Sequence, residues 1–520
     1  MAMQERALPL SSQRQNVATK RDDGGDDGDE AQGQYQDEKF PPPESENIHG
    51  PHNTSTCTST VNERTPTASL ERPVTIRDDC DRLKDRQRLA FNLTFWGNFM
   101  LHFGRKSYST LKQELEDEAG YSAITLSEMD TAFTFSYAVG SIISGHLSDT
   151  FPSNSGTVLA VGLYGSGACL FLMNVFIWFE LEGYYSTRSI GDFCMVTVYF
   201  VFGLFQSTGK PVGTALMGNW FSDKHSIERR GFIFGLWTCH QHMGDIAAAL
   251  CTAFVLASGY AYWWGFLTSA IANVLWDCLS HRIGSVLSTD AGITIEDDGR
   301  KKIIIGAKEV ISKESTVLPV PITYVRAFRI PMVAQYTVAF GLFKLTNYVL
   351  FLWLPYFLGR NFGPVSANLI AASYSIGMMV GGIIMGVVSD IIGGLRTTVI
   401  GAFISFLIVF LGIFSLKSED LGATSVVIML GIIGILVGGP YNIITSAVAA
   451  DLASHPTFKS NNKSLGNIVG LMSVFGSIIA SIGLLAIGPL QNNYGWSCVW
   501  WYLMGCTALG LILISPKIYQ

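Results

Sequence analysis

The sequence predicts an all-α membrane protein whose twelve transmembrane helices form two six-helix bundles. Of its 520 residues, 48% are hydrophobic, only 15% are charged and 53 are glycine, a composition too apolar for an ordinary soluble domain. Twelve apolar segments follow one another from residue 89 onward, each about 20 residues or longer, which suffices to cross ~30 Å of hydrocarbon. A short motif recurs six segments apart, which indicates two related halves.

Residues 1–87 are predicted to form a disordered cytosolic tail, because they are rich in Asp, Gly, Gln, Pro, Ser and Thr and contain hardly any aliphatic run. The segment from Met1 to Arg86 carries 17 acids against 11 bases, whereas the rest of the chain carries 24 of each, so the net charge of −6 belongs to the tail. The tail has no signal-peptide pattern. It is either a plain solvated extension or a trafficking or regulatory segment.

The predicted membrane body consists of an N-terminal bundle at residues 88–282, a cytosolic linker at 283–325 and a C-terminal bundle at 326–517. Between the spans, 16 Lys and Arg residues lie on the side that holds the N-terminus, and four lie on the other side: Lys112, Arg188, Arg360 and Lys417. Because cytosolic loops are enriched in Lys and Arg, both termini are predicted to be cytosolic.

Ionisable side chains within apolar segments mark the candidate site. Lys210, His240, His242 and Asp245 lie in two such segments, which are joined by the basic link FSDKHSIERRG at residues 221–231. A charge at mid-bilayer costs about 2.5 to 3.5 kcal/mol even on the gentlest scale, so such residues normally face a bundle interior or a water-filled cavity. We therefore expect these two spans to line a polar interior.

The same stretch contains a long motif. Residues 203–211 read GLFQSTGKP, and they are followed by GNWF at 218–221, RG at 230–231, GLW at 235–237, His240 and Gly244. This pattern resembles that of the sugar-phosphate exchangers, which belong to the organophosphate:phosphate antiporter group of the major facilitator superfamily. The chain departs from the pattern at Lys210, where the family usually has tryptophan.

The resemblance covers about residues 88 to 515 and implies the major facilitator fold, with a central cationic cavity that opens alternately to either side. It also implies exchange of a phosphorylated sugar or glycerol phosphate for inorganic phosphate across the endoplasmic reticulum membrane. Two alternatives stay open: a proton-coupled organic-anion symporter that uses Asp245 or His240, and a non-transporting sensor or scaffold of the same fold. The sequence does not indicate an oligomeric state.

Arg105 and Lys106 stand side by side in the first predicted span. Gly104, Arg105, Lys106 and Ser109 resemble the S-R-K-x-x-S signature of the group's first span, whose arginine binds phosphate in bacterial relatives. A guanidinium offers a planar fork of donors that matches phosphate oxygens, and it stays charged at any relevant pH. Arg105 is the expected phosphate ligand. Lys106 is the weaker candidate, because its side chain points about 100° away on a helix.

The partner from the second half is expected in the seventh span. The resemblance aligns the second bacterial arginine with Asn347, which is uncharged, and Lys344 is the only base in that span. The two residues are three apart, so they project over the same helical face. Lys344 is therefore predicted to supply the second phosphate-binding cation.

Five further residues are candidates for binding or proton transfer. His240 matches the exchangers' histidine, and Gln241 aligns with the substrate histidine of bacterial relatives, so both are candidate substrate ligands together with Lys210. His240 is expected to hydrogen-bond phosphate and to titrate near neutral pH. Asp245 and Asp277 are intramembrane acids that either pair with a base or couple protons.

Three residues are predicted to control conformational switching. GHLSD at residues 145–149 follows the second span, and GVVSD at 386–390 follows the eighth. The second copy, together with Arg396, resembles the superfamily's G-x-x-x-D-(R/K)-x-G-(R/K) loop. Asp149, Asp390 and Arg396 are therefore expected to clamp helices at the cytosolic mouth.

Nothing in the sequence indicates an enzyme. It contains no P-loop, no G-x-S-x-G and no HExxH motif, and Gly377, Gly381 and Gly386 are expected to serve helix packing. Nine scattered cysteines without CxxC spacing predict neither disulfides nor a metal site. The expected partners are the lipid bilayer, an organophosphate and inorganic phosphate, without a cofactor or a nucleic acid.

Overall fold

A computed structural model describes most of the chain from residue 76 to residue 515. The described residues are 76–150, 155–183, 188–221, 230–289, 293–297, 300–305, 308–309, 332–392, 395–418, 420–448 and 464–515. The predicted tail up to residue 75 and most of the predicted linker lie outside these segments.

Six crossings make up the N-terminal half. Its helices are α1 Ile76–Thr110, α2 Lys112–Asp117, α3 Ala123–Thr150, α4 Ser155–Leu181, α5 Arg188–Gln206, α6 Gly209–Trp220, α7 Arg230–Ala257 and α8 Trp264–Thr289. The short helix α2 connects the first two crossings, while α5 and α6 are two parts of one crossing, Arg188–Gly218. The first helix begins at Ile76, before the boundary at residue 87 that the sequence predicts.

Six further crossings make up the C-terminal half: α9 Val333–Phe362, α10 Pro364–Ile391, α11 Arg396–Lys417, α12 Ala423–Ile443, α13 Ser464–Leu485 and α14 Ile487–Ile514. A π-helical turn, Ile444–Val448, extends α12, and Gly495 with a φ of 77° kinks α14. A small antiparallel sheet that the sequence analysis did not predict lies between the halves in the chain, with β1 Ile293–Asp297, β2 Arg300–Ile305 and β3 Lys308–Glu309.

Seven of the described crossings are long and apolar enough to span a membrane by length and composition alone. The other five are α1, α3, α7, α8 and α13, all of which carry buried polar or charged side chains. α13 contributes a shorter apolar stretch, Val469–Leu485. The twelve crossings agree with the fold that the sequence predicts.

The contacts between the two halves follow an internal symmetry. α7, the fifth crossing, packs against α10, the eighth, and α3, the second, packs against α13, the eleventh. In a chain built from two six-span repeats, the second crossing corresponds to the eighth and the fifth to the eleventh. A two-fold operation that exchanges the halves therefore converts one contact into the other, as the repeated motif predicts.

Small residues bring α10 and α12 into close contact. A Cβ added to Gly377 would overlap the backbone carbonyl of Gly431, and one added to Gly381 would overlap that of Ile435. The predicted packing role of Gly377 and Gly381 is therefore confirmed. The same prediction is wrong for Gly386, because a Cβ there would meet no atom within 4 Å.

Pro211 interrupts the fourth crossing between α5 and α6. Proline has no N–H, so the carbonyl of Ser207 lacks its usual helical donor. The Ser144 hydroxyl of α3 donates a hydrogen bond to that carbonyl at 3.1 Å, which supplies the missing partner. The interruption lies at membrane depth, where an unsatisfied carbonyl would be costly, and it separates Gln206 from Lys210.

Ser144→Ala is expected to destabilise the protein by about 0.5 to 2 kcal/mol, because it leaves the Ser207 carbonyl without a donor inside the membrane. Thermal unfolding in detergent checks this. The matched control is Ser141→Ala in the same helix, since the Ser141 hydroxyl bonds only to the Tyr137 carbonyl one turn away and should lower the melting temperature much less. Equal shifts in both variants would contradict the role given to Ser144.

Candidate functional site

Arg105 of α1 is held at the interior of the N-terminal half. Its Nη2 donates to Oε1 of Gln206 at 3.3 Å, and Gln206 in turn donates to Ser166 at 3.2 Å. The guanidinium also lies over the rings of Phe133 and Tyr137, at 5.3 and 4.8 Å from their centres. These contacts fix the group in place, while its Nε has no hydrogen-bond partner in the described structure. Arg105 can therefore still donate to an anion.

Lys344 of α9 lies in the interior of the opposite half. Its Nζ donates to the Ser477 hydroxyl at 2.5 Å and to the Ser473 carbonyl at 3.3 Å, both on α13. Only 4% of the residue is exposed. Asn347, one turn further along, accepts a hydrogen bond from the Tyr374 hydroxyl at 2.7 Å. Lys344 has neutral oxygen partners, so its charge is not compensated, whereas Asn347 is engaged by Tyr374.

Lys210, the second residue of α6, is exposed although it stands at membrane depth. Thr214, one turn further along, is exposed too, so this face of α6 borders open space. Lys210 lies within electrostatic range of Arg105 and of Lys344 of the other half, as expected for a side chain on the inner side of the bundle. Within the described part of the chain, Lys210 forms no hydrogen bond or ion pair.

Lys106 reaches across to the second half. Its Nζ donates to the Phe351 carbonyl of α9 at 2.5 Å and to the Ser109 hydroxyl at 3.2 Å, and it lies 4.3 Å from the centre of the Phe351 ring. Ser109 donates to the same carbonyl at 2.8 Å. Lys106 is thus part of the contact between the halves, whereas Arg105 is held by residues of its own half.

A carboxylate lies between two imidazoles beside these cations. Asp245 of α7 is 3.3 Å from Nδ1 of His102 on α1 and 4.0 Å from Nδ1 of His242. His240 packs edge-on against Trp237 and against the His102 ring, and Gln241 contacts His242 at 3.3 Å. Asp245 therefore has basic partners, which fits the first of the two predicted roles.

A buried ion pair that the sequence analysis missed joins α2 to α3. Lys112 Nζ lies 2.7 Å from Asp130 Oδ2, and both side chains have no exposed surface. The ammonium also lies 3.9 Å from the centre of the Trp353 ring on α9 in the second half. Lys112 lies between the first two crossings, where the sequence analysis counts it, but its side chain is enclosed by three neighbouring helices and is not solvated as in an open loop.

Further contacts close the halves on the same side of the membrane as Lys112, which we call the far side. Glu116 of α2 lies 2.7 Å from Arg360 and accepts a hydrogen bond from Tyr356 at 2.5 Å. The Asn368 amide of α10 donates to the Thr110 carbonyl at 3.0 Å. The opposite side, where α1 begins, we call the tail side. These contacts define a structure whose far side is closed.

The predicted clamp residues lie at the tail side. The repeated motifs end α3 and α10, and Arg396 begins α11, where it is half-buried. The side chains of Asp149 and Asp390 lie outside the described part of the structure. The clamp therefore stays a prediction. Asp277 of α8 is buried next to Tyr164 and Cys278, away from the cations.

Two six-helix bundles that enclose uncompensated cations at membrane depth define a membrane transport protein that handles anions. The chain belongs to the Major Facilitator Superfamily, whose family model matches residues 94–280 and 336–517. It is 29% identical to "Sugar phosphate exchanger 3" of Bos taurus over 84% of this chain and 94% of that protein. It is also 29% identical to "Putative glycerol-3-phosphate transporter 3" of Arabidopsis thaliana, over 81% and 84% of the two chains.

The comparisons confirm the predicted family resemblance. Among solved structures, the nucleoside transporter NupG aligns with a TM-score of 0.58 at 11% identity, over 83% of this chain and 99% of that one. A point mutant of the same transporter gives the same score over 84% of this chain. At such low identity the likeness to these structures shows the fold alone.

Sequence reasoning missed His102, Asp130 and the role of Gln206. His102 stands one turn before Arg105 in the same span, so the signal was an additional polar residue on the face of Arg105. Asp130 occurs near the beginning of the second span, eighteen residues after Lys112, and only the fold brings the two together. Gln206 belongs to the family motif, but the motif does not indicate which residue it contacts.

Lys112→Met is expected to destabilise the protein by about 3 to 5 kcal/mol, because it leaves the Asp130 carboxylate buried without a partner. Lys112→Met combined with Asp130→Leu should recover most of that loss, since both charges are then removed. Melting temperatures in detergent measure both effects. Lys417→Met is the control, because the pair of Lys417 and Asp420 is 62% and 72% exposed and should contribute little.

Glu114 of α2 predicts a pH-dependent stability. It is 5% exposed, and neither carboxylate oxygen has a hydrogen-bond partner in the described structure. Burial raises the pKa of Glu114 to about 7, and the nearby Glu118 and Asp117 carboxylates raise the pKa further. A folded-state pKa above the unfolded one contributes stability that is complete below the unfolded pKa and is lost as the pH rises through about 7.

Glu114→Gln is therefore expected to raise the melting temperature at pH 8 and to have little effect near pH 4.5, because glutamine stays neutral throughout. Thermal unfolding across this pH range measures the difference between the two proteins. Glu128→Gln, which changes an exposed residue of α3, is the control and should leave the pH profile unchanged. A Glu114→Gln profile parallel to that of the wild type would contradict the assignment.

Proposed function

We propose that the protein is an antiporter that exchanges a phosphorylated sugar or glycerol phosphate for inorganic phosphate by alternating access. One observation carries the proposal: Arg105 and Lys344 project into the interior from opposite halves, and neither forms an ion pair in the described structure. The names of the similar proteins, a sugar phosphate exchanger and a glycerol-3-phosphate transporter, support the substrate class.

The geometry supports a binding role for both cations. Phosphate is close to a dianion at neutral pH, and it accepts charge-assisted hydrogen bonds from a guanidinium and an ammonium. Arg105 keeps donors available while Gln206, Phe133 and Tyr137 hold it in place. Lys344 would exchange its serine partners on α13 for the anion. His240, at 5% exposed, lies close to His102 beside this site.

Exchange follows from the charge of the empty site. Two cations that approach each other without an anion repel, so the empty cavity resists closure. A bound dianion attracts the cations of both halves, so the closed state binds the anion more tightly than the open state does. The cavity therefore switches from one side of the membrane to the other when substrate is bound, and this favours exchange over net transport.

In each transport cycle, the far-side contacts must break before the cavity can open to that side. Lys106 and Ser109 bind the Phe351 carbonyl, and Glu116 binds Arg360. We assign the tail side to the cytosol, since the Lys and Arg residues between the spans favour that orientation. The resemblance to the exchangers favours the endoplasmic reticulum membrane. Asp390 and Arg396 would form the corresponding clamp on the tail side.

A proton-coupled anion symporter is the second candidate. The observation that favours it is the Asp245 carboxylate between His102 and His242, since a proton bound there would reduce the negative charge beside the cations. The two candidates differ in one measurement. A symporter accumulates labelled substrate in phosphate-free proteoliposomes when a pH gradient is applied, whereas an antiporter requires phosphate inside.

Arg105→Ala and Lys344→Ala are each expected to reduce phosphate exchange to below about 1% of wild type, because an uncompensated phosphate charge in a poorly hydrated cavity loses several kcal/mol of binding. The assay is uptake of labelled phosphate and of labelled sugar phosphates into proteoliposomes, with and without phosphate inside. Lys417→Ala is the control, since this exposed lysine lies at the far-side end of α11.

Both alanine variants should melt within a few degrees of the wild type, so that a loss of exchange reports on binding. Exchange at a near-normal rate in Lys344→Ala would remove Lys344 from the site. Uptake that does not depend on internal phosphate would argue against the antiporter and for the second candidate.

A further inference from the structure

The interior of the protein contains more positive charge than a phosphate can compensate. Between the halves, the described structure places five basic side chains at membrane depth or at its far-side edge: Arg105, Lys106, Lys112, Lys210 and Lys344. Two acids share this interior, Asp130 and Asp245. Histidines add no negative charge. Two further acids are buried in the described structure: Asp277 lies on α8 beside Tyr164, and Glu114 of α2 lies near Tyr262 and the Glu118 carboxylate.

The two acids account for two of the cations. Asp130 is paired with Lys112 at 2.7 Å. Asp245 lies within electrostatic reach of Lys106 and Arg105, and its ion-pair contacts within the described segments are with His102 and His242. Whichever cation Asp245 compensates, three positive charges remain. A phosphate dianion offsets two of them, so one charge is left over when phosphate alone is bound.

Lys210 is the cation that the rest of the site does not use. Arg105 is tied to Gln206, Lys344 to Ser477 and Lys106 to the Phe351 carbonyl. Lys210 has no such contact in the described segments, and its side chain is exposed within electrostatic range of Arg105 and Lys344. An uncompensated ammonium at membrane depth is costly unless a ligand or water meets it.

The position of Lys210 along the membrane normal can be read from the contacts. Arg105 is level with Gln206, which it contacts, and Lys210 lies four residues beyond Gln206, or ~6 Å toward the tail side. Ser109 is level with Phe351, so Lys344 lies ~4 to 5 Å toward the tail side of Arg105. Lys210 and Lys344 thus lie at about the same level, with Arg105 about one turn deeper.

We propose that Lys210 creates a second anion subsite on the tail side of the phosphate site, and that the preferred organic substrate is a small phosphate ester with a second anionic group, a carboxylate or another phosphate. Such a molecule brings three or more negative charges to the three free cations. The inference rests on the proposed function, because it assumes that Arg105 and Lys344 bind a phosphate.

The test compares glycerol 3-phosphate with 3-phosphoglycerate, which share a three-carbon backbone and a phosphate and differ by one carboxylate. Each is titrated against uptake of labelled phosphate into proteoliposomes that contain phosphate. Wild-type protein should bind 3-phosphoglycerate at least ~10-fold more tightly. Lys210→Gln, and Lys210→Trp with the residue usual in the family, should reduce this ratio to about 1, while Lys210→Arg should keep it.

Lys417→Gln serves as the matched control, because it removes an exposed lysine remote from the cations and should leave the ratio unchanged. A wild-type ratio near 1 would overturn the second subsite. So would a ratio that persists in Lys210→Gln, or equal weakening of both compounds, which would place Lys210 in the phosphate site itself.

Failure of the antiporter proposal gives a different result, since no labelled phosphate would then exchange at all. The subsite can still be tested in that case. Thermal stabilisation of the detergent-solubilised protein by each compound reports the same ratio without transport. A larger stabilisation by 3-phosphoglycerate that disappears in Lys210→Gln supports the subsite, and equal stabilisation by the two compounds overturns it.

Discussion

Positive charge held at membrane depth is the constraint on which the rest of the structure depends. A cation in hydrocarbon is tolerated only when it faces protein, water or an anion, so the helices that carry these residues cannot be rotated toward lipid. Gln206, Phe133 and Tyr137 surround Arg105, and serines of α13 surround Lys344. The arrangement of the two bundles follows from the need to enclose both groups.

Interior cations have two kinds of partner in this structure: an acidic side chain or neutral oxygen atoms. Lys112 and Asp130 neutralise each other in a fully enclosed pair, which adds nothing to a ligand site and connects α2, α3 and the Trp353 ring of α9. Among the described residues, Arg105 and Lys344 have neutral oxygen partners, so their positive potential stays available. Positive side chains therefore serve closure of the halves at one position and recognition of an anion at another.

The twelve crossings, the two halves and the ionisable residues within the crossings could be predicted from the sequence, because hydropathy and charge are local properties. The sequence predicted that Arg105, Lys210 and Lys344 lie within crossings, and all three lie in helices of the described structure. It could not supply the contacts between crossings, because residues such as Lys112 and Asp130 meet only through the packing of α2 on α3. Asn347 illustrates the same limit: its alignment suggested a ligand, whereas its partner is Tyr374.

Two ion pairs on the far side have different environments: the pair of Arg360 and Glu116 joins the halves, and the pair of Lys112 and Asp130 lies within the N-terminal half. Arg360 and Glu116 are 50% and 23% exposed, so dissolved ions reach them, whereas Lys112 and Asp130 are sealed off. At an ionic strength of about 0.15 M, screening acts over about 8 Å in water and only weakly inside protein. The salt concentration of the compartment on that side therefore weakens one pair and leaves the other intact. Part of the barrier to opening thus depends on the solution that the protein faces.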